Sequence, residues 1–328
     1  ERISWYYGIV FVLSIITYLN AIPADFVFDD TAAIQGNPDI VAGTSITSLI
    51  KNDFWGTPIG SRFSHQSYRP VTVLSFRMDY EIWNDLVRQQ FHFTNVALHA
   101  VASCAFLRLC CNFIFTTSPH LSIMSAILFA THPVHVEAVT GLVGRAEILC
   151  AVFFMISIEC HARACRASVR SSRPWTRNIM FMILCVFSSC LALLSKEIGV
   201  TSLGVCFAYD LLAHLEIRAN GVSLQIFRQD DVKRTIFRLL TLCIAAACII
   251  FTRLQFLGGF VPHFSEPDNP GAYNPSSLTR VLTLNYYNFR NLWVMIYPKV
   301  LCCDWAMGSI PVVESWSDSR NIGTLLMY

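Results

Sequence analysis

The sequence predicts an all-α polytopic membrane protein. Of its 328 residues, 54% are hydrophobic and 14% are charged, and the mean hydropathy of +0.48 is far above that of a soluble globular domain. The apolar residues are gathered in long segments separated by polar connectors. The formal net charge of +2 says little about such a chain, because the positions of basic residues between the segments set its orientation.

Seven segments are predicted to cross the bilayer. The first runs from Trp5 to Ile22 without a charge, which is close to the length that a hydrocarbon core requires, and Pro23 then stops the helix. Segment 278–300 carries enough polar side chains that we predict an interfacial or re-entrant helix in preference to a full span. The six further spans are predicted at 91–115, 121–139, 148–161, 179–194, 198–215 and 235–257.

The basic residues predict how these spans are oriented. The connectors that follow the fourth and the sixth span are both rich in arginine, which marks the cytoplasmic side, and two spans separate them. The polar clusters at 23–91, 131–147 and 195–197 are therefore expected to converge on the opposite, non-cytoplasmic face. The basic residues are Arg163, Arg166, Arg170, Arg173 and Arg177 in the first connector, and Arg218, Arg228, Lys233, Arg234 and Arg238 in the second.

The connector 23–91 is too long and too aromatic for a plain linker. We predict that it forms short amphipathic helices in the membrane interface, where aromatic rings with polar edges are favoured. It contains none of the 13 cysteines. Most cysteines fall in apolar segments, so we interpret them as small buried hydrophobic residues without partners. The adjacent Cys302 and Cys303 offer too few ligands for a metal site.

Two adjacent carboxylates, Asp29 and Asp30, follow the first span within about two helical turns. An ionisable residue at a membrane edge is costly, so it usually faces a polar cavity or serves a function. If the convergent face holds an active site, either aspartate fits the general base that takes a proton from a hydroxyl. The alternative is structural, since Asp30 with Thr31 fits the N-cap of a short interfacial helix.

Cationic residues occur in all three polar clusters. Transfer of a sugar from a lipid-linked phosphate requires cations that hold the departing phosphate, and Arg69 and Lys196 fit this role. The alternative for such a residue is that it snorkels to the interface or pairs with an acid. Arg145 and Glu147 either pair with each other or close the site from its far side.

The stretch 131–147 concentrates polar groups within an apolar run. His132 and His135 are three residues apart and would share one face of a helix, with Glu137 nearby, so this set fits a metal site. We favour positioning by hydrogen bonds over metal binding, because Pro133 disturbs the helix and sugar transfer from a phosphate does not require a metal.

Several other functions receive less support. The sequence has no Gly-rich phosphate loop, and its basic stretches lack the interleaved aromatic residues of nucleic-acid binders. A transporter or channel is the main rival, but it predicts charges at the middle of spans, whereas here the charges cluster at span ends. A catalytically inactive binding protein on the same scaffold is the other alternative.

At these residues the chain resembles the transmembrane and tetratricopeptide-repeat-containing family, whose members are similar to protein O-mannosyltransferases. The matching motifs extend along the whole chain, and together they are specific, although each short motif alone would be weak. They are Phe28-Asp-Asp-Thr-Ala-Ala-Ile, Asn37-Pro-Asp, Ser67-Tyr-Arg-Pro-Val, His132-Pro-Val-His-Val-Glu-Ala-Val, Gly144-Arg-Ala-Glu, Ser195-Lys-Glu-Ile-Gly-Val-Thr, Phe264-Ser-Glu-Pro-Asp-Asn-Pro, Asp304-Trp-Ala-Met-Gly-Ser-Ile-Pro and Val313-Glu-Ser.

The resemblance implies a glycosyltransferase of the type C (GT-C) fold in the endoplasmic reticulum membrane, with about seven to nine transmembrane helices and a long first luminal loop. It implies mannose transfer from dolichyl phosphate mannose to Ser or Thr of cadherin-like domains in the lumen, without a required cofactor. The resemblance implies that the acid after the first span is the catalytic base, with Asp29 as the first choice and Asp30 as the second. The implied substrate and lipid-phosphate contacts are Arg69, Lys196, Glu197, His132, His135, Glu137 and Arg145.

The same resemblance predicts the domain organisation. Residues 1–257 would form the transmembrane catalytic module, residues 258–320 a luminal or interfacial region, and residues 321–328 the start of a further span. In the family, tetratricopeptide repeats follow the last span, and none is present here. Because the chain begins without Met and ends at Tyr328 in an apolar segment, we expect it to be a fragment.

Overall fold

The computed structural model describes residues 2–41, 44–170, 174–219, 229–258, 265–302 and 305–328. Within these ranges the chain is helical and contains no β-strand, apart from an isolated bridge between Asn52 and Pro58. The prediction of an all-α protein is therefore confirmed. Among the residues used in the sequence argument, Arg173, Arg228, Phe264, Cys303 and Asp304 lie outside the described ranges.

Thirteen α-helices are found in the described ranges. Short π-helical or 3-10 turns lie between several of them, at Thr31–Gln35, Leu142–Gly144 and Glu197–Val200. The helices are α1 Arg2–Tyr18, α2 Ile46–Leu49, α3 Pro70–Trp83, α4 Arg88–Leu109, α5 Pro119–Thr131, α6 Val136–Thr140, α7 Arg145–Arg170, α8 Pro174–Ser195, α9 Thr201–Ala219, α10 Gln229–Phe256, α11 Pro270–Tyr273, α12 Ser277–Ile296 and α13 Arg320–Met327.

Among the residues that the structure describes, four segments are long and apolar enough to cross a membrane: Ser4–Ala21, Arg88–Ile114, Trp175–Ser195 and Val232–Phe256. They correspond to the predicted first, second, fifth and seventh spans. A fifth is added if α5 and the segment Pro133–Thr140 together form one broken span. The predicted fourth span lies within α7, and the predicted sixth span runs from the Glu197–Val200 turn into α9.

The predicted third span is interrupted after Thr131. His132 has φ −68° and ψ 126°, the extended conformation that a residue before proline prefers because the proline ring clashes with a helical neighbour. Its side chain accepts a hydrogen bond from the backbone N–H of Val134, and a 3-10 turn then leads into α6. Pro133 thus breaks the helix that the apolar pattern over 121–139 predicted.

The chain divides into two compact units. The first contains the described residues of Glu1–Thr131 and Ala138–Val261. In it, α7 packs along α8, α4 packs against α1 and α7, and α9 packs against α7 and α10. The second unit contains the described residues of His132–Glu137 and Pro262–Tyr328, and its α12 packs against α13.

The connector between α1 and α4 folds into a core of its own within the first unit. Its longest helix, α3, begins with proline at the first position, where proline is favoured, and ends at Asn84, whose φ of 54° is a left-handed helix cap. Val73 and Phe76 on one face of α3 are buried against Phe54, Phe91 and other apolar side chains. This core fixes the polar residues at the start of α3.

Candidate functional site

Arg69 and Glu197, which are 128 residues apart in sequence, form an ion pair. Arg69 lies immediately before α3, and Glu197 lies in the turn between α8 and α9. Arg69 Nε donates to Glu197 Oε2 at 3.1 Å, and Arg69 Nη2 lies 3.0 Å from the same oxygen. The guanidinium carbon also lies 5.0 Å from the centre of the Phe54 ring. The structure therefore brings together two of the residues that the sequence placed on one face.

A second arginine, Arg253, shares the same carboxylate. Its Nη2 donates to Glu197 Oε1 at 3.1 Å, and its Nη1 donates to the carbonyl oxygen of Tyr68 at 3.4 Å. Sequence reasoning missed this residue, although an arginine in the last turn of the apolar helix α10 was a usable signal. Burial would raise the pKa of Glu197, but the charges of Arg69 and Arg253 and hydrogen bonds outweigh it and lower this pKa.

The turn after α8 is held in place by close packing. Thr72 Oγ1 on α3 donates to the carbonyl oxygen of Ser195 at 2.9 Å. A Cβ at Gly199 would overlap the backbone of Ala192, so only glycine allows the turn to fold this closely onto α8. These two contacts fix Lys196 and its neighbour Glu197 relative to the start of α3.

Lys196 forms an ion pair with Glu147, which lies in the first turn of α7. Glu147 therefore pairs with Lys196, and not with Arg145 as one of the sequence interpretations held. The Lys196 side chain is 25% exposed and the Glu147 side chain is 40% exposed. The pair of Arg69 with Glu197 and the pair of Lys196 with Glu147 are therefore both only partly buried.

Arg145 has a different environment from the other predicted site residues. Its side chain is fully buried, and it forms an ion pair with Asp79 at 2.6 Å. It also stacks on the rings of Phe76 and Phe91. Its remaining N–H groups donate to the side chain of Asn95 and to the carbonyl oxygens of Ser75 and Phe91. This placement gives Arg145 a structural role in the scaffold, and its predicted contact with a lipid phosphate stays a prediction.

Asp30 is buried, with 1% of its surface exposed. Its two carboxylate oxygens accept hydrogen bonds from the backbone N–H groups of Val27 and Val143, each at 3.1 Å. Burial raises the pKa of Asp30 above its usual value, with a smaller contribution from the neighbouring charge of Asp29, while the backbone hydrogen bonds oppose the shift. Asp30 occupies the N-cap position of the Thr31–Gln35 turn, but its side chain does not cap that turn.

Asp29 precedes Asp30 and is only half-buried. The two adjacent carboxylates therefore differ: Asp30 holds the connector between α1 and α4 to the Leu142–Gly144 turn, whereas Asp29 is the more accessible of the two. A Cβ at Gly144 in that turn would overlap the backbone of Ala138, which explains a glycine at the start of the Gly-Arg-Ala-Glu motif.

His132 and His135 lie in the second unit with Glu137. The two imidazole rings meet edge to face with their centres 6.4 Å apart. The Nδ1 atom of His132 accepts a hydrogen bond from the N–H of Val134 at 3.2 Å. This nitrogen is therefore used to shape the turn at Pro133, and the role of the two histidines and Glu137 at a substrate remains a prediction.

These features define a helical membrane protein in which arginine, lysine and carboxylate side chains meet at the ends of several helices. Comparison with known proteins gives the family. Residues 258–328 match the family model described as protein O-mannosyl-transferase TMTC, DUF1736. The chain belongs to the TMTC family, and its similarity to individual members extends over nearly all of its length.

Three relatives illustrate this similarity. Protein O-mannosyl-transferase TMTC3 of Mus musculus is 38% identical over 95% of this chain and 34% of the relative. TMTC2 of Xenopus laevis is 36% identical over 96% of this chain and 37% of the relative. TMTC4 of Homo sapiens is 33% identical over 99% of this chain and 46% of the relative. The chain thus spans about a third to a half of the length of these relatives. No solved structure matches it.

Proposed function

We propose that the chain is the membrane part of an enzyme that transfers mannose from dolichyl phosphate mannose to Ser or Thr hydroxyls of cadherin-like domains. It would act in the endoplasmic reticulum membrane, with its site facing the lumen, on a GT-C scaffold of about seven to nine spans. The names of its relatives support protein O-mannosylation. The observation that carries the proposal is the meeting of Arg69, Arg253 and Glu197 at helix ends that the basic loops predict to be non-cytoplasmic.

Asp29 is the proposed general base. Both oxygens of Asp30 are occupied by backbone N–H groups in a buried position, whereas Asp29 is half-buried on the same turn. In the proposed step, the acceptor oxygen forms a bond to the anomeric carbon of mannose and its proton passes to the Asp29 carboxylate. The bond from that carbon to the phosphate oxygen breaks, and dolichyl phosphate leaves with the electron pair. A single displacement of this kind inverts the anomeric configuration.

The cationic residues would stabilise the departing phosphate. Arg69 and Arg253 together carry two positive charges against the one negative charge of Glu197. The cluster therefore has a net positive charge that attracts a phosphate. The planar donor fork of arginine suits phosphate oxygens. Lys196 adds a third positive charge, which Glu147 neutralises in the structure. A bound phosphate would compete with Glu147 for this charge.

The proposal is tested by measuring mannose transfer from labelled dolichyl phosphate mannose to a cadherin-domain acceptor, with the full-length protein in membranes. Asp29→Asn should lower transfer by about 10²- to 10⁴-fold, the usual contribution of a general base, while the amount of folded protein stays unchanged. Asp30→Asn should lower thermal stability, because an amide offers only one acceptor oxygen to two N–H groups. Asp25→Asn is the matched control, since Asp25 lies on the same connector with a 65% exposed side chain.

Two outcomes would contradict this assignment. Full transfer by Asp29→Asn combined with loss in well-folded Asp30→Asn would move the base to Asp30. Absence of transfer to any hydroxyl acceptor by a well-expressed parent protein would favour a transporter or an inactive binding protein on the same scaffold.

A further inference from the structure

A second polar cluster lies inside the helical bundle, away from the candidate site. It consists of side chains from three helices: His161 on α7, Cys185 on α8, and Cys206 on α9. All three residues are fully buried, with 0% of their surface exposed. His161 lies 16 residues after Arg145 on the same helix, or about 24 Å along its axis at 1.5 Å per residue. Sugar transfer as proposed above uses none of these groups.

The spacing of the ligand atoms suits a tetrahedral metal ion. The two sulfur atoms of Cys185 and Cys206 lie 3.9 Å apart, and a ring nitrogen of His161 and both sulfurs all lie within 4.8 Å of one another. A tetrahedral Zn²⁺ ion with bonds of about 2.3 Å to sulfur holds its two sulfur ligands about 3.8 Å apart. The Oγ atom of Ser157 lies 3.3 Å from Cys185 Sγ and 3.9 Å from Cys206 Sγ, and it is hydrogen-bonded to Ser189 Oγ at 2.8 Å.

The contacts of His161 leave one ring nitrogen for an ion. Its Nε2 atom lies 3.5 Å from Asp210 Oδ2 and 3.6 Å from Cys165 Sγ, so the carboxylate can fix the ring with its proton on Nε2. The Nδ1 atom is buried and has no hydrogen-bond partner, which is costly for a polar atom in an apolar bundle. Arg238 donates to both oxygens of Asp210 at 2.7 and 2.8 Å, so Asp210 is suited to orient the histidine and not to bind the ion.

Charge balance favours a divalent ion. Two thiolates and a neutral imidazole around Zn²⁺ have no net charge, and a neutral group can be buried in a membrane bundle where an isolated charge cannot. Thiolate and imidazole are the ligands that Zn²⁺ prefers in structural sites. On binding, each thiol forms a bond from sulfur to the ion and loses its proton, so two protons are released.

We propose that His161, Cys185 and Cys206 bind one Zn²⁺ ion that joins α7, α8 and α9 inside the membrane bundle. The site is structural, and Asp210 is its positioning residue. This assigns a specific role to two cysteines that the sequence alone presents as small apolar side chains. The proposal stands independently of the proposed transferase activity.

The test is the metal content of the full chain, purified in detergent under reducing conditions without a chelator and measured by inductively coupled plasma mass spectrometry. We expect about one zinc ion per chain. Cys185→Ser and Cys206→Ser should lose it, and Asp210→Asn should weaken zinc affinity by about 10- to 100-fold, the usual effect of an outer-shell partner. Cys110→Ser is the matched control, because Cys110 is also fully buried but lies outside the cluster, and it should retain the ion.

Cobalt substitution of the wild-type protein keeps the test decisive if a variant fails to fold. Tetrahedral Co²⁺ bound by two thiolates gives an intense visible spectrum and a sulfur-to-metal charge-transfer band, and Zn²⁺ should remove both. Absence of zinc from the purified protein together with absence of these bands would overturn the proposal. A disulfide between Cys185 and Cys206, found after free thiols are blocked during cell lysis, would also overturn it.

Discussion

Arg145 and Arg69 occupy opposite kinds of environment, although the sequence presents both as candidate phosphate ligands. The Arg145 side chain is 0% exposed and is held by Asp79, by Asn95 and by backbone carbonyl oxygens. The Arg69 side chain is 20% exposed, and it shares Glu197 with a second arginine. The difference teaches that arginines in two similar polar motifs can be held very differently, one fully buried among fixed partners and the other partly exposed in a shared ion pair.

The two ion pairs also differ in what their removal would leave behind. Loss of Arg145 would leave the carboxylate of Asp79, whose side chain is 9% exposed, without its cation. Loss of Arg69 would leave Glu197, whose side chain is already 35% exposed, paired with Arg253. The first change should therefore damage the fold, and the second should leave the fold largely intact.

The largest effect is expected from Arg145→Ala. Breaking a buried ion pair from one side costs about 3 to 5 kcal/mol, which is a large part of the stability of a typical fold. The variant should give little monodisperse protein in detergent and a lower thermal midpoint. Combining it with Asp79→Ala should recover part of the loss, because no buried charge then remains unpaired. An Arg145→Ala protein as stable as wild type would remove the distinction between the two arginines.

Arg69→Ala is expected to leave the fold intact and to lower mannose transfer by about 10²- to 10³-fold, the usual effect of removing one preorganised charge-stabilising group. Arg69→Lys should restore part of the transfer, since it keeps the charge without the planar fork. The control is Arg88→Ala, because Arg88 forms an ion pair with Asp25 at 3.0 Å with both side chains largely exposed, and such pairs contribute little. Unchanged transfer by Arg69→Ala would place Arg69 with the scaffold arginine.

The smallest effect is a pH dependence of stability that originates at Glu197. Arg69 and Arg253 lower the pKa of Glu197. The ionised Glu197 carboxylate therefore stabilises the fold at pH values above its unfolded-state pKa of about 4.3, and this contribution is lost as the pH falls through its folded-state pKa. Thermal midpoints measured from about pH 6 to about pH 3.5 should fall more steeply for wild type than for Glu197→Gln. Parallel profiles would show that the three charges are not coupled.

Much of the fold was predictable because its signals are local. Long uncharged segments predict helices from neighbouring residues alone, and every segment predicted to span the membrane is mainly helical in the described ranges. Pro133 was also a visible signal, yet the apolar pattern on both sides of it suggested one continuous span. The break follows from a steric clash between adjacent residues, which hydropathy does not register.

The candidate site was predictable only in outline. The orientation of the basic loops placed Arg69 and Lys196 on one face, but the sequence could not assign their partners. Arg69 meets Glu197, and Lys196 meets Glu147, only when α3, α7 and α8 pack together. The structural role of Asp30 depends on the backbone N–H of Val143, 113 residues away. Almost any residue can supply such a backbone donor, so no side-chain motif in the sequence predicts this contact.

The contact between Arg69 and Glu197 has a consequence for biosynthesis. A ribosome that adds about 5 to 20 residues per second needs roughly 6 to 25 s to make the intervening chain. During that time the connector between α1 and α4 is without its partner on the far side of α8. This connector therefore completes its ion pair only after the whole chain from α3 to the turn after α8 has been made.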